Sequence, residues 1–329
     1  MTRLRNNVRS LERQTGLTLI EMMVALAIGS FLIIGAVQVY SQSRQSYIVN
    51  ESVAKVQDVA TFAMDALESD LRMASNWGRM SRGLGIEGRS VVGDNNPIGI
   101  NGIPAACGED WVLNLAMPVD GDNNGYTLPC PTAATRQANS DHVVVRRATV
   151  NPVPLEAGRP QVQTTRITGR VFTDGAIPAG FTAADSSTHN LLVSSYYVAD
   201  DSDLIPGVPS LRRRVLRMNA GVADIIDEEI APGVENLQVQ FGIDINEDNT
   251  VDRYVNPGDG IYDPTNVAYV PGARIITARI WLVVRGYDIE PGLIDEQNYT
   301  PGDVDLGQFA DQFRRMQVSK TILLRNARS

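Results

Sequence analysis

A chain of 329 residues, 43% hydrophobic, has enough apolar content for a packed core, which excludes a disordered polymer as its main state. Its formal charge of -9 argues against nucleic acid as a partner, because phosphate binding needs clustered Lys and Arg. The first 16 residues run against that balance: Arg3, Arg5, Arg9 and Arg13 face only Glu12, and without this +3 segment the rest stands at -12.

Behind the basic stretch, Leu17 to Val39 is a 23-residue apolar run, about 35 Å long as a helix. That suits a membrane span, not the 7–15-residue core of a secretory signal, and no small-x-small cleavage site follows it. The arginines predict a cytoplasmic N-terminus with the rest of the chain outside. Glu21 sits within the run, and a carboxylate at bilayer depth costs at least a few kcal/mol, so it calls for a function and a partner. From Val49, the residues Val53, Val56, Ala60, Ala63, Leu67 and Leu71 continue at steps of three or four, predicting an amphipathic helix to about Ala74.

The junction Gly16-Leu17-Thr18-Leu19-Ile20-Glu21 resembles the type III signal of type IV prepilins and pseudopilins. The resemblance implies cleavage by a prepilin peptidase after Gly16, methylation of the new amine at Leu17, and Glu21 as the fifth mature residue. It also implies that Glu21 pairs with the N-terminal amine of a neighbouring subunit. Leu17 departs from the more usual Phe. By position this gives a leader over 1–16, a membrane and polymerisation helix over 17–40, and its amphipathic continuation over 41–75.

Residues 76–140, rich in Gly, Pro, Asn and Asp, read as an irregular insertion. The two cysteines, Cys107 and Cys130, fall inside it. In an oxidising compartment they would close a loop of about 24 residues, worth roughly 3 kcal/mol by chain entropy; two free thiols are the alternative. Gly83-Leu-Gly85-Ile-Glu-Gly88 has the letters of a dinucleotide site, yet no apolar strand precedes it and Gly and Pro follow where a helix is needed.

Residues 141–329 read as an antiparallel β domain. Strand signals lie at HVVVRRATV (142–150), LLVSSYYVA (191–199), LRRRVLRM (211–218), VENLQVQFGID (234–244), ARIITARIWLVV (273–284) and QVSKTILLR (317–325). Arg212, Arg213, Arg214 and Arg217 are expected on a solvated strand face. His142 and His189 are expected at the surface. Neither has a motif with a nucleophile, so no catalytic residue is assigned; an anchored exported hydrolase is the remote alternative.

Asp244-Ile-Asn246-Glu-Asp248-Asn-Thr250-Val-Asp252 places oxygen ligands at alternate residues, as a Ca²⁺ loop does. Asn249 stands in place of the turn Gly, and Val255 in place of the bidentate Glu, so Asp259 or Asp263 would have to complete the set. A bare acidic turn is the alternative. Asp120-Gly-Asp122-Asn-Asn124-Gly125 is a shorter version of the same pattern.

IAPGVENLQVQFGID, ARIITARIWLVVRG and MQVSKTILLRN extend the resemblance to the PilW family of minor type IV pilins, with the J-type minor pseudopilins of type II secretion as the alternative. The implied fold is α+β and pilin-like, a long N-terminal helix packed on antiparallel sheet. The implied role is a structural subunit, not an enzyme, that joins a tip complex and promotes pilus assembly. Its implied partners are other minor pilins, the major pilin, prepilin peptidase and the inner-membrane assembly machinery. Its implied place is first the inner membrane, with a periplasmic domain, and then the pilus tip.

Overall fold

The computed structural model describes residues 16–91, 97–100, 107, 110–130 and 132–328; the leader before Gly16 lies outside the described residues. Helix α1 (Leu19–Met73) runs unbroken for 55 residues, as the apolar and amphipathic patterns require. It stops where Ser75 and Gly78 take left-handed backbone angles that no helix continues. The chain divides into two compact units, Met1–Glu51 and Ser52–Ser329. In the first, the large apolar side chains of α1 from Leu19 to Val39 are all exposed. By length and composition, α1 is the one helix among the described residues fit to cross a membrane.

Within the second unit, Val56, Ala60, Ala63, Met64, Leu67 and Leu71 form a buried stripe on the later half of α1. Among the described residues, twelve strands accompany it in this unit. Strands β1 (Ile86–Glu87), β2 (Val119–Asp122), β3 (His142–Ala148), β4 (Gln161–Thr164), β5 (Gly169–Phe172), β6 (Ser187–Ala199), β7 (Ser210–Asn219) and β8 (Val222–Pro232) make one sheet. Its order is β1-β5-β4-β6-β3-β2, with β7 also on β6 and β8 on β7, and among the described residues only the β1–β5 pair is parallel. Strands β9 (Val234–Asp244), β10 (Arg253–Val255), β11 (Arg274–Arg285) and β12 (Arg315–Leu323) form a second, antiparallel sheet ordered β10-β9-β11-β12. The six strand signals are β3, β6, β7, β9, β11 and β12.

The run Val143-Val-Val145 is continuously apolar because β3 is covered on both faces. Val143 and Val145 join the core built on α1 and the second sheet, while Val144 points into another cluster. That other core belongs to the stretch read as irregular. Trp77, Ile86, Trp111, Leu113, Leu115, Cys107 and Cys130 pack there on Val162, Val171 and Val193. Residues 76–140 also supply β1, β2 and a short helix, α2 (Asp110–Leu113).

Candidate functional site

Gly16 and Leu17 lie ahead of α1 and are exposed, and a side chain at Gly16 would meet nothing within 4 Å. Nothing in the fold requires Gly there, so any requirement comes from an enzyme that reads the junction. Thr18 then caps α1. Its N–H and its hydroxyl both donate to Glu21 Oε2 at 2.9 and 2.8 Å, and the Glu21 N–H approaches Thr18 Oγ1 at 3.3 Å. This is a reciprocal capping box, which satisfies donors that a helix start leaves free. Thr18-x-x-Glu21 states it openly in the sequence, so the carboxylate has an intrachain partner that the reading of Glu21 missed.

At the other end of α1, Asp70 is buried. Arg147 grips its Oδ1 through Nε and Nη2 at 3.1 and 2.8 Å, and the Tyr196 hydroxyl donates to Oδ2 at 2.6 Å. Burial pushes the carboxyl pKa up, but the Tyr196 and Arg147 contacts outweigh it and the net direction is down. These contacts fasten the helix end to β3 and β6. Lys320 on β12 pairs with Glu68, two residues earlier on the helix.

Cys107 and Cys130 form a disulfide, buried beside the Arg214 guanidinium. The expected solvated arginine face is corrected here: Arg212 and Arg214 are buried. Opposite them β8 presents Asp227, Glu228 and Glu229 in register. Arg212 Nε meets Asp227 Oδ1 at 2.8 Å, Arg217 meets Glu228 at 2.8 Å, and Arg213 also pairs with Glu228. The ladder follows from a hairpin whose turn, Ala220-Gly221, has positive φ at both positions.

Both histidines also depart from expectation, being buried rather than superficial. His142 contacts Ser195 Oγ through Nε2 at 2.7 Å and Asp122 through Nδ1 at 3.2 Å. The connectivity is that of a nucleophile, base and acid. Ser195 and His142 are enclosed between β2 and β6, however, so the trio ties three strands together out of reach of a substrate. His189 contacts the Thr149 carbonyl at 2.7 Å and Ser187 Oγ at 2.9 Å. Burial lowers both histidine pKa values.

The residues proposed for calcium lie together in the loop after β9, turned inward on their own backbone. Asp244 accepts the N–H groups of Asp248 and Asn249, Asn246 accepts that of Asp248, Asp248 that of Thr250, and Asp252 that of Ile245. Asn249 takes the left-handed angle that a turn Gly would, at φ 66°. Arg274 donates to Asp244 Oδ2 at 3.2 and 3.0 Å, so a guanidinium stands on the innermost carboxylate. Asp259 and Asp263 accept bonds from Ile261 and Thr265 in their own turns. In the shorter stretch, Asp122 is taken by Thr127 and His142. Among the described residues no group of three or more His, Cys, Asp or Glu is arranged to hold a metal ion.

In the Gly83–Gly88 stretch, Gly83 packs against the Leu115 carbonyl where a Cβ would collide, so its glycine serves packing. What the geometry offers is a capped, uncovered apolar half-helix joined to a firmly fastened α+β unit. No curated protein and no solved structure matches the chain. The prokaryotic N-terminal methylation motif matches residues 12–37. The family model of the type IV pilus-assembly protein W matches residues 195–326, from the middle of β6 past the end of β12. By these two matches the chain is similar to type IV prepilins at its N-terminus and to the PilW proteins of type IV pilus assembly over its C-terminal part.

Proposed function

We propose that the chain is a minor pilin that joins other minor pilins in a priming complex at the pilus tip. In this reading, prepilin peptidase cuts after Gly16 and leaves a methylated amine at Leu17. The span from Leu17 to Val39 holds the subunit in the inner membrane, with residues 52–329 on the periplasmic side, until the assembly machinery draws it into the filament beside the major pilin. Glu21 then exchanges its intrachain cap for the Leu17 amine of a neighbour. The observation that carries the reading is the apolar half of α1, fully exposed and opened by a carboxylate.

Glu21→Gln tests it cleanly, because Gln at this position also completes a capping box. The helix start is kept and only the charge is lost. A neighbour's amine would then be left unmatched in low dielectric, at a cost of several kcal/mol. The expected result is normal cleavage and membrane insertion, but strong depletion from sheared pili relative to the membrane fraction. Wild-type recovery in pili would overturn the role of Glu21. Co-purification with pilus-tip components, and not with type II secretion components, separates the pilin from the pseudopilin reading.

A further inference from the structure

The outer face of the second sheet carries a depression of about 250 Å³ over β11 and β12. Its walls are Arg279 and Trp281 on β11 and their cross-strand partners Thr321 and Ser319 on β12. Arg279 and Trp281 are half-buried, and both hydroxyl residues are exposed. All four side chains offer donors: a guanidinium, an indole N–H and two hydroxyls. Among the described residues none of the four has a hydrogen-bond or carboxylate partner; the Arg279 guanidinium rests on the Tyr254 ring, 3.5 Å from its centre. Two other arginines of the same sheet differ, Arg274 being paired with Asp244 and Arg315 with Glu235 and Asp311.

β12 is also the last strand of its sheet. Among the described residues, no backbone group other than those of β11 pairs with Met316 to Leu323. An unpaired strand edge is a template for another strand, whose main chain supplies affinity and whose alternate side chains supply specificity.

We propose that this slot receives an Asp or Glu side chain of a different pilus subunit, presented by an extended segment lying along the open edge of β12. The inference rests on the pilus-subunit reading above. Charge complementarity selects the occupant: the slot holds donors and one unmatched cation, on a chain that is otherwise acidic at -9. A side chain on an added strand lies about 5 Å from its partner on β12, so Ser319 and Thr321 meet the carboxylate first. Arg279, which no acid holds elsewhere, turns from Tyr254 to complete the pair.

The test places a photoreactive benzoylphenylalanine at Ser319 in the full-length chain in piliated cells, with Ile167, exposed on another hairpin, as the control position. Irradiation is expected to join Ser319, but not Ile167, to another pilus subunit. Arg279→Glu should lower that adduct at least tenfold, while Arg279→Lys keeps most of it. Equal adduct in Arg279→Glu, an adduct only between two copies of this chain, or an adduct only with polysaccharide would overturn the proposal. So would absence of an adduct while the chain is recovered in sheared pili at its normal level. Absence of the unmodified chain from sheared pili would instead overturn the pilin reading itself.

Discussion

Asp70→Asn is the sharpest probe of how the helix is fastened. The substitution keeps shape and removes charge, leaving Arg147 and Tyr196 without the anion they hold at 2.8 and 2.6 Å. Breaking a buried pair costs about 3–5 kcal/mol. The Arg147 side chain is 22% exposed and regains some water, which brings the expected loss to about 2–3 kcal/mol. For a unit of this size that is a fall of very roughly 5–10 °C in Tm. Near-ultraviolet circular dichroism of the full chain in detergent reads it, because Trp77 lies just past the helix end in the packed core. The sign with pH is fixed. The folded carboxyl titrates below its unfolded value, so its contribution is complete above about pH 4 and lost as pH falls through the folded value. The gap between wild type and variant should therefore close on acidification. A variant melting within 2 °C of wild type at pH 7, or a gap unchanged at pH 2, would refute the assignment.

Replacing Gly16 with a bulky residue should leave the leader attached by N-terminal sequencing while the melting curve stays put, since the position is open. Millimolar Ca²⁺ should leave the wild-type melt unchanged, because Arg274 already stands on Asp244; a clear upward shift would show that calcium displaces it. Burial raises Asp141 to about 7 and Asp120 to about 6, so each lowers stability as pH rises from about 4 to those values. Burial lowers His142 and His189, so each lowers stability as pH falls below about 6.5. The two pairs act in opposite directions on chemical-denaturation stability between about pH 5 and 6. Asp141→Asn should tilt it upward with pH by about 1.4 kcal/mol per unit, and a profile parallel to wild type would refute the titration of Asp141.

The long helix and its six partner strands were legible because each carries a strong period or a β-branched run. Strand β8 was not. Its residues are half-buried along most of their length at a sheet edge, so Val222 to Pro232 lacks alternation. The acids Asp227, Glu228 and Glu229 were nonetheless the visible complement of the arginines on β7, and pairing the two runs across Asn219-Ala220-Gly221 would have found both strand and burial. Residues 76–140 hid their core because the burial of Trp77, Trp111 and Leu115 is set by tertiary packing in a cluster with Val162, Val171 and Val193, which no local period records. The histidines misled for a related reason: a lone His at a strand start reads as peripheral until the flanking β2 and β6 are known to enclose it.

The uncovered half of α1 states the energetic problem that assembly has to solve. Each large apolar side chain there is worth about 1.5–3 kcal/mol when removed from water, so the stretch is stable only in lipid or against other helices. Transfer from one to the other barely changes that term, since lipid tails and packed side chains are similarly apolar. Polar groups are then left to set the direction of transfer. In the capping box Glu21 already has two short contacts, so a neighbour's amine must be worth more than those contacts for the exchange to proceed. A charged donor meets that condition, because it adds to the hydrogen bond a Coulombic attraction in low dielectric that the neutral Thr18 donors lack. In the proposed reading, the capping box keeps Glu21 tolerable in the membrane, and its modest strength leaves the carboxylate free to change partners.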